Sequence, residues 1–544
     1  MKKLVILSTF LALATQSQAQ LFPKNSSTKI DTLKGSNTEF RNFWDVKKYE
    51  LSVEADAEKK SVKGKNKIAL EITKDVNKPI FQIDLLQPMN FKFLTKDKNL
   101  KVVRENDFIF ISSKKSYKKG DKLSFEIEFS GNPQIAHNAP WDGGWVFSKD
   151  SKGNDWISVA QEGLGASHWL PIKDIWSDEP DEGIKMTIIT PQGYTGVGNG
   201  RLISTETKNG KTSYTWEVKN PINAYSIIPT IGKMVHINDH FSGEKGKLDL
   251  DYYVLEENED KAKVHFPRNV EPMLKAFEKW FGPYPFYEDS FKLVDTPYLG
   301  MEHQSNVAYG NKYMNGYLGR DLSGTGSGLE WDYIIVHEAG HEWFANNITA
   351  KDQADMWIHE GFTTYSEVLF QEEFRTKEIG NKYAIGLRRG IANDRPLVGN
   401  YGIRNEGSGD MYPKGANMIH TIRQVINDDA KFRAILRGLG KEFYHQTVTT
   451  SQIEDYISKN AGFDFSTLFN QYLRTTKIPT LEYSQNGKEL KFRYTNSVDH
   501  LKLPIRVNSD QKIEPTSTWQ TILLKSDAPV ALDKNYYIHY KAVK

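Results

Sequence analysis

The sequence predicts a multidomain α+β fold: an N-terminal antiparallel β domain, an α-rich middle domain and a small C-terminal β-sandwich. Three observations carry this. The 544 residues exceed the roughly 250–300 at which one hydrophobic core stops growing, so two to four domains are expected. Strand-length alternation fills roughly the first 235 residues and returns in the last 65 or so. Between them the apolar residues recur with helical spacing.

Residues 1–19 form a separate kind of segment. Met1, Lys2 and Lys3 make a short positive start, residues 4–14 are an almost unbroken apolar run, and Ser17-Gln18-Ala19 offers small residues to a signal peptidase. A membrane anchor would need about 17–25 apolar residues, so the expectation is a cleaved leader and an exported protein, periplasmic or secreted in a bacterium. No later stretch is long and apolar enough to act as a stable membrane anchor.

In residues 20–235, segments such as 67–73, 122–129 and 184–190 alternate or run apolar over strand lengths, with Gly, Asn, Asp and Lys clusters between them. The loop 140–145 carries Trp141 and Trp145 among turn residues, the kind of element that often lines a site. In residues 236–478, the stretch 270–281 is an amphipathic helix stopped by Gly282 and Pro283. Beyond Pro479 alternation returns at 480–483 and 489–494, and residues 479–544 suffice for a small β-sandwich.

Composition narrows the chemistry. Lys and Arg number 71 against 69 Asp and Glu, with no long basic run, so there is no electrostatic footprint for nucleic acid. Cysteine is absent, which removes disulfides, thiol catalysis and thiolate metal sites. Any metal must be held by His and carboxylates.

Such a set is present. In His337-Glu338-Ala339-Gly340-His341, two His four apart share one helix face, about 6 Å from each other, and Glu338 projects beside them. Ser327 and Glu330 have the spacing of a capping box for that helix, and residues 331–346 contain no Pro. A third ligand follows His341 after 18 intervening residues: Glu360, near the start of a second helix with Asp355 as its expected cap. Two His and one Glu leave a fourth position for water, the arrangement of a hydrolytic zinc, one Zn2+ per chain. His359 is the rival ligand, but on a helix it points about 100° away from Glu360.

With these motifs on the page, nearly the whole chain after the leader resembles the M1 family of zinc aminopeptidases, the gluzincins. Four motifs in order carry the resemblance: His337 to Glu360; upstream, Gly300-Met301-Glu302 of the exopeptidase motif; downstream, Tyr412-Pro413-Lys414-Gly415; and in the β domain, Gln161 shortly before Asp178-Glu179-Pro180. The resemblance implies a thermolysin-like catalytic domain and peptide substrates cut one residue from a free α-amine. It also implies Glu338 as general base and Tyr412 as donor to the oxyanion. Glu302 would bind the amine, and Gln161 and the Gly300-Met301 backbone would hold the N-terminal residue.

The sequence departs from the family pattern in places. Leu299 stands where a Gly is usual and His303 where an Asn is usual, the latter adding a group expected to titrate near neutrality. Glu162 directly follows Gln161, one place earlier than the Glu of many members, and is a weaker candidate for the amine site. Larger members carry a long helical domain over the site, so a more open site is expected here. Glu367, seven after Glu360, can orient a ligand His or make a surface ion pair. Alternatives within reach of the same residues are an endopeptidase or epoxide hydrolase on this scaffold, or an inactive peptide-binding protein.

Overall fold

A computed structural model describes residues 28–508 and 510–543, so the expected leader, residues 1–19, lies outside them. The first part is built on a seven-stranded sheet. Its centre is the long pair Trp44–Asp56 and Ser61–Ile72, flanked by Lys122–Gly131 on one side and Ile184–Pro191 on the other. Alternation along these strands buries Tyr49, Leu51 and Val53 from one and Ile68, Leu70 and Ile72 from the next on a shared face. The sheet is antiparallel except where Trp44–Asp56 runs parallel to Ile184–Pro191, a pairing that needs the long crossover between them. A three-stranded and a four-stranded sheet complete this part.

The expected onset of helix at residue 236 is corrected: the antiparallel hairpin Met234–Gly243 and Gly246–Leu255 comes first, because alternating 247–255 is a strand pattern. The hairpin opens a five-stranded mixed sheet that continues through Phe291–Asp295 and Val307–Tyr309 to the edge strand Gly300–Met301. Behind the hairpin runs the helix Glu259–Phe281, stopped at Gly282. The helices Tyr333–Gly340, Trp357–Phe374 and Pro413–Ile426 then pack in sequence and form the helical part of the site.

The chain ends in a four-stranded sheet containing Thr480–Asn486 and Glu489–Thr495, beside the two-stranded ribbon Ile505–Val507 and Gln511–Ile513. Their apolar residues Leu481, Leu490, Leu503 and Ile505 join one continuous core with Phe469 and Tyr472 of the preceding helix. The first part has a core of its own. No helix among the described residues is long and apolar enough to cross a membrane.

Candidate active site

The helix Tyr333–Gly340 is capped by Asp332, whose carboxylate accepts from the Ile334 and Ile335 amides. The expected capping box is therefore corrected: residues Ser327–Leu329 make a separate 3-10 turn, and the helix starts later. Asp332 also takes hydrogen bonds from His265, Tyr309 and Asn311, at 2.7–2.8 Å, so the cap is wired into the sheet. The second cap is corrected too. Asp355 accepts from Tyr401 and Thr450, and Trp357–Phe374 starts without a side-chain cap.

His337 and His341 face Glu360, with His337 Nε2 3.5 Å and His341 Nε2 3.4 Å from the same carboxylate oxygen. Ligand atoms about 3.4 Å apart are what a tetrahedral ion with bonds of about 2.0–2.1 Å requires. That Glu360 oxygen is buried and has no hydrogen-bond partner, so it is a lone pair left for a cation. Each imidazole is held from behind: His337 Nδ1 donates to Glu367 at 2.7 Å, and His341 Nδ1 to the Phe344 carbonyl at 3.0 Å. These bonds turn both Nε2 lone pairs inward. Tyr383 donates to the other Glu367 oxygen, 2.7 Å away. His359 is spent elsewhere, its Nε2 accepting from the Ala350 amide while its ring stacks on Trp176. The donor set fits zinc.

Glycines bring the parts together. A Cβ on Gly300 would sit 2.7 Å from Ile334 and 2.9 Å from a Glu338 oxygen, so the edge strand passes directly over Glu338. A Cβ on Gly415 would lie 3.0 Å from the Gly361 Cα, where the helix behind Tyr412 crosses the helix of Glu360. Lys414 of the same motif is structural, donating to the Thr475 carbonyl at 2.9 Å.

Glu302, Glu338 and His341 offer ligand atoms within 4.8 Å of one another, so the exopeptidase carboxylate stands beside the expected base. Glu302 is 3% exposed and one of its oxygens has no partner. Its main-chain carbonyl is fixed by Asn346 at 2.8 Å. Glu162 faces it; burial and then the Glu302 charge push the Glu162 carboxyl well above its ordinary range. The Tyr225 hydroxyl, buried and without another partner, completes that wall. Burial, reinforced by Glu302 and Glu360, lifts Glu338 to about 7 against the pull of the two His. Burial alone would raise Glu360 as well, but His341 and His337 hold it well below the usual range. The Tyr412 ring lies 5.8 Å from that of His337, and burial followed by the Glu360 charge raises its phenol.

Three expectations change. Gln161 does not offer its side chain to the site: its amide nitrogen donates to the Tyr225 and Ile227 carbonyls, and its oxygen accepts from Trp169 and His168. All four hydrogen-bonding positions are used inside the fold, leaving none for a substrate. His303 is fully buried, and desolvation drops it to about 3, so it stays neutral where it was expected to titrate. Trp145 is a core residue against Trp169, while Trp141 is exposed. Tyr225, Tyr383 and Asn346 carry no motif signal, since each meets the site through contacts distant in sequence.

Comparison with known proteins agrees with this geometry. Residues 46–226 match the family model described as the Peptidase M1 N-terminal domain, and residues 268–472 match the Peptidase family M1 domain. A probable aminopeptidase 1 of Sulfurisphaera tokodaii is 22% identical over 79% of the chain, and a leucyl aminopeptidase of Saccharolobus solfataricus is 21% identical over 86%. The chain spans 54% and 59% of the lengths of these two relatives. The crystal structure of an M1 zinc metallopeptidase from Deinococcus radiodurans superposes with a TM-score of 0.67 at 18% identity, covering 81% of this chain and 96% of that one. A variant of that protein, bound to a Tyr-Ser-Ala substrate, superposes with a TM-score of 0.66 at 18% identity, covering 82% and 98%.

Proposed function

The chain belongs to peptidase family M1, and on that premise we propose that it is an aminopeptidase whose zinc is held by His337, His341 and Glu360. The observation that carries the reading is the placement of Glu302: buried, with an unpartnered oxygen, within 4.8 Å of Glu338 and His341. A carboxylate there pairs with a free α-ammonium and sets the cut one residue in.

His337, His341 and Glu360 would hold the zinc, which when bound would supply Lewis acidity toward a carbonyl and water. Glu338 takes a proton from the attacking water and hands it to the leaving amine, a task suited to a carboxyl poised near neutrality. Tyr412, its phenol held protonated, donates to the oxyanion as charge develops there. Glu302 and Glu162 receive the α-ammonium between them, and Tyr225 closes that wall. The strand Gly300–Met301 pairs with Val307–Tyr309 on one side only, so its other edge offers backbone groups to an extended peptide. An endopeptidase would have no use for a buried carboxylate at this point.

Free-amine and N-acetylated leucyl peptides, each with the zinc-loaded enzyme and Glu302→Ala, test this. The acetylated peptide should be poorer by about a hundredfold or more in kcat/KM, roughly 2.7 kcal/mol. Glu302→Ala should shrink that ratio by weakening the free-amine reaction, while Glu338→Gln retains zinc and loses several orders of magnitude in kcat. Equal wild-type rates on both peptides would make the protein an endopeptidase.

A further inference from the structure

A carboxylate that reads an α-ammonium must keep a fixed distance from the metal, or the cut loses its register. The strand that carries Glu302 cannot ensure this alone. Gly300–Met301 is two residues long and pairs only with Val307–Tyr309, and Glu302 is the first residue beyond it. The chain then turns at once, the Asn306 amide donating to the His303 carbonyl at 2.9 Å with Ser305 at a φ of 49°. From the first β-rich part, Asn199 donates to the Gln304 carbonyl at 2.7 Å and the Gly200 amide to the Ser305 hydroxyl at 2.9 Å.

From the zinc side the same turn is held by one short segment, residues 341–347. The Asn346 side-chain amide donates to the Glu302 carbonyl at 2.8 Å, and the Glu342 carboxylate accepts from the Ser305 amide at 2.8 Å. All four residues are buried. The segment is tied twice to His341: the Asn346 amide donates to the His341 carbonyl at 3.0 Å, and the Phe344 carbonyl accepts from His341 Nδ1 at 3.0 Å. Between Phe344 and Asn346, Ala345 has a φ of 142°, a conformation that L residues rarely adopt and that persists only where the surroundings over-determine it. This strained residue is the point where the chain switches from facing the imidazole, through Phe344, to facing Glu302, through Asn346.

We propose that Asn346 is a positioning residue for the amine-binding carboxylate, setting the distance from Glu302 to the zinc ligand His341. The inference rests on the aminopeptidase reading, in which Glu302 receives the α-ammonium. Asn346 acts through the main chain of Glu302, not on the substrate. Two hydrogen bonds in series, Glu302 carbonyl to Asn346 side chain and Asn346 amide to His341 carbonyl, join the amine site to the metal site. Removing the side-chain donor leaves a buried carbonyl to seek another partner, and the end of the strand moves with it. A displacement of about 1 Å is enough to weaken a charge pair that depends on alignment. His341 keeps its Phe344 contact, so the metal site is spared.

The test uses two hydroxamates, leucine hydroxamate and 4-methylpentanohydroxamate, which share a zinc-binding group and a side chain and differ only in the α-amine. Their Kd values for the zinc-loaded enzyme, measured by calorimetry, should favour leucine hydroxamate in wild type by roughly tenfold to a hundredfold. Asn346→Ala and Asn346→Leu, the second keeping the shape of asparagine, should each cut that ratio by about tenfold. Zinc content should be retained, and affinity for the compound without the amine should stay within about threefold of wild type. On a Glu302→Ala background the ratio is already reduced, and adding Asn346→Ala should lower it no further. An unchanged ratio in either variant that folds, equal weakening of both hydroxamates, or a further loss on the Glu302→Ala background overturns the positioning role and leaves the aminopeptidase reading intact. A wild-type ratio near one overturns both.

Discussion

Glu179, of the Asp178-Glu179-Pro180 motif, is 8% exposed and away from the zinc cluster, yet burial pushes its carboxyl up to about 8, against the help of Thr349 and Asn223. Because the folded value lies above the unfolded value of 4.5, the native state keeps a proton that the unfolded chain releases. That stabilisation is complete below about pH 4.5 and is lost as pH rises through about 8. At about 1.4 kcal/mol per unit, the loss is on the order of 5 kcal/mol at most. Glu179→Gln, which cannot ionise, should therefore gain stability relative to wild type across that window, read from denaturant midpoints at several pH values; parallel pH curves would refute the assignment. The neighbouring Asp178 has a different task, accepting from the Val46 amide and pairing with the buried Lys173. Which residues could be read from the sequence follows from such differences. His337, His341 and Glu360 were legible because two of them are spaced by a single helical turn and the third by a fixed interval. Gln161 was misread because its partners Tyr225 and Ile227 lie more than 60 residues away, invisible to local pattern. His303 was misread because burial, which sets its protonation, is a property of the fold.

Among elements, the crossing of Trp357–Phe374 with Pro413–Ile426 sets how close Tyr412 comes to Glu360. Gly361 and Gly415 meet there backbone to backbone, with space for a Cβ at Gly415 only 3.0 Å from the facing Cα. Gly415→Val should force the helices apart at about 1–3 kcal/mol, the usual cost of overpacking. Zinc content should hold, because His337, His341 and Glu360 lie outside the second helix. Turnover should fall more than KM changes, because the Tyr412 hydroxyl is displaced from the oxyanion. Full kcat in a folded Gly415→Val protein would show that this crossing does not position Tyr412. Helix and strand types were largely legible from periodicity, but their ends were not. Asp332 won the cap over Ser327 through tertiary partners, His265, Tyr309 and Asn311, that no local motif displays.

At the scale of the molecule, the terminal sheets are not an appendage. Tyr472 stacks on Tyr537 at 5.8 Å, Tyr537 donates its amide to Thr421, and Arg388 donates to the Lys534 and Asn535 carbonyls. Removing residues 479–544 uncovers Phe469, Tyr472, Leu473 and Ile478, all now buried. Four such side chains are worth roughly 6–12 kcal/mol, comparable to the whole stability of a domain. A chain ending at Ile478 should therefore aggregate or unfold, and the full chain should lose the terminal sheets and the zinc site in one transition; a soluble, zinc-binding truncation would contradict this. The same wiring has a consequence for synthesis. Glu162 comes first, the metal cluster ends at Glu360, and Tyr412 and the Arg404 bridge to Asp174 come later still. On the ribosome these groups emerge in that order, separated by some 250 residues of translation, and the last strand of the terminal sheet, His539–Ala542, is made after all of them. A half-made chain therefore carries all three metal-cluster residues before the terminal sheet that takes the Tyr472 hydroxyl and supports Thr421 can form.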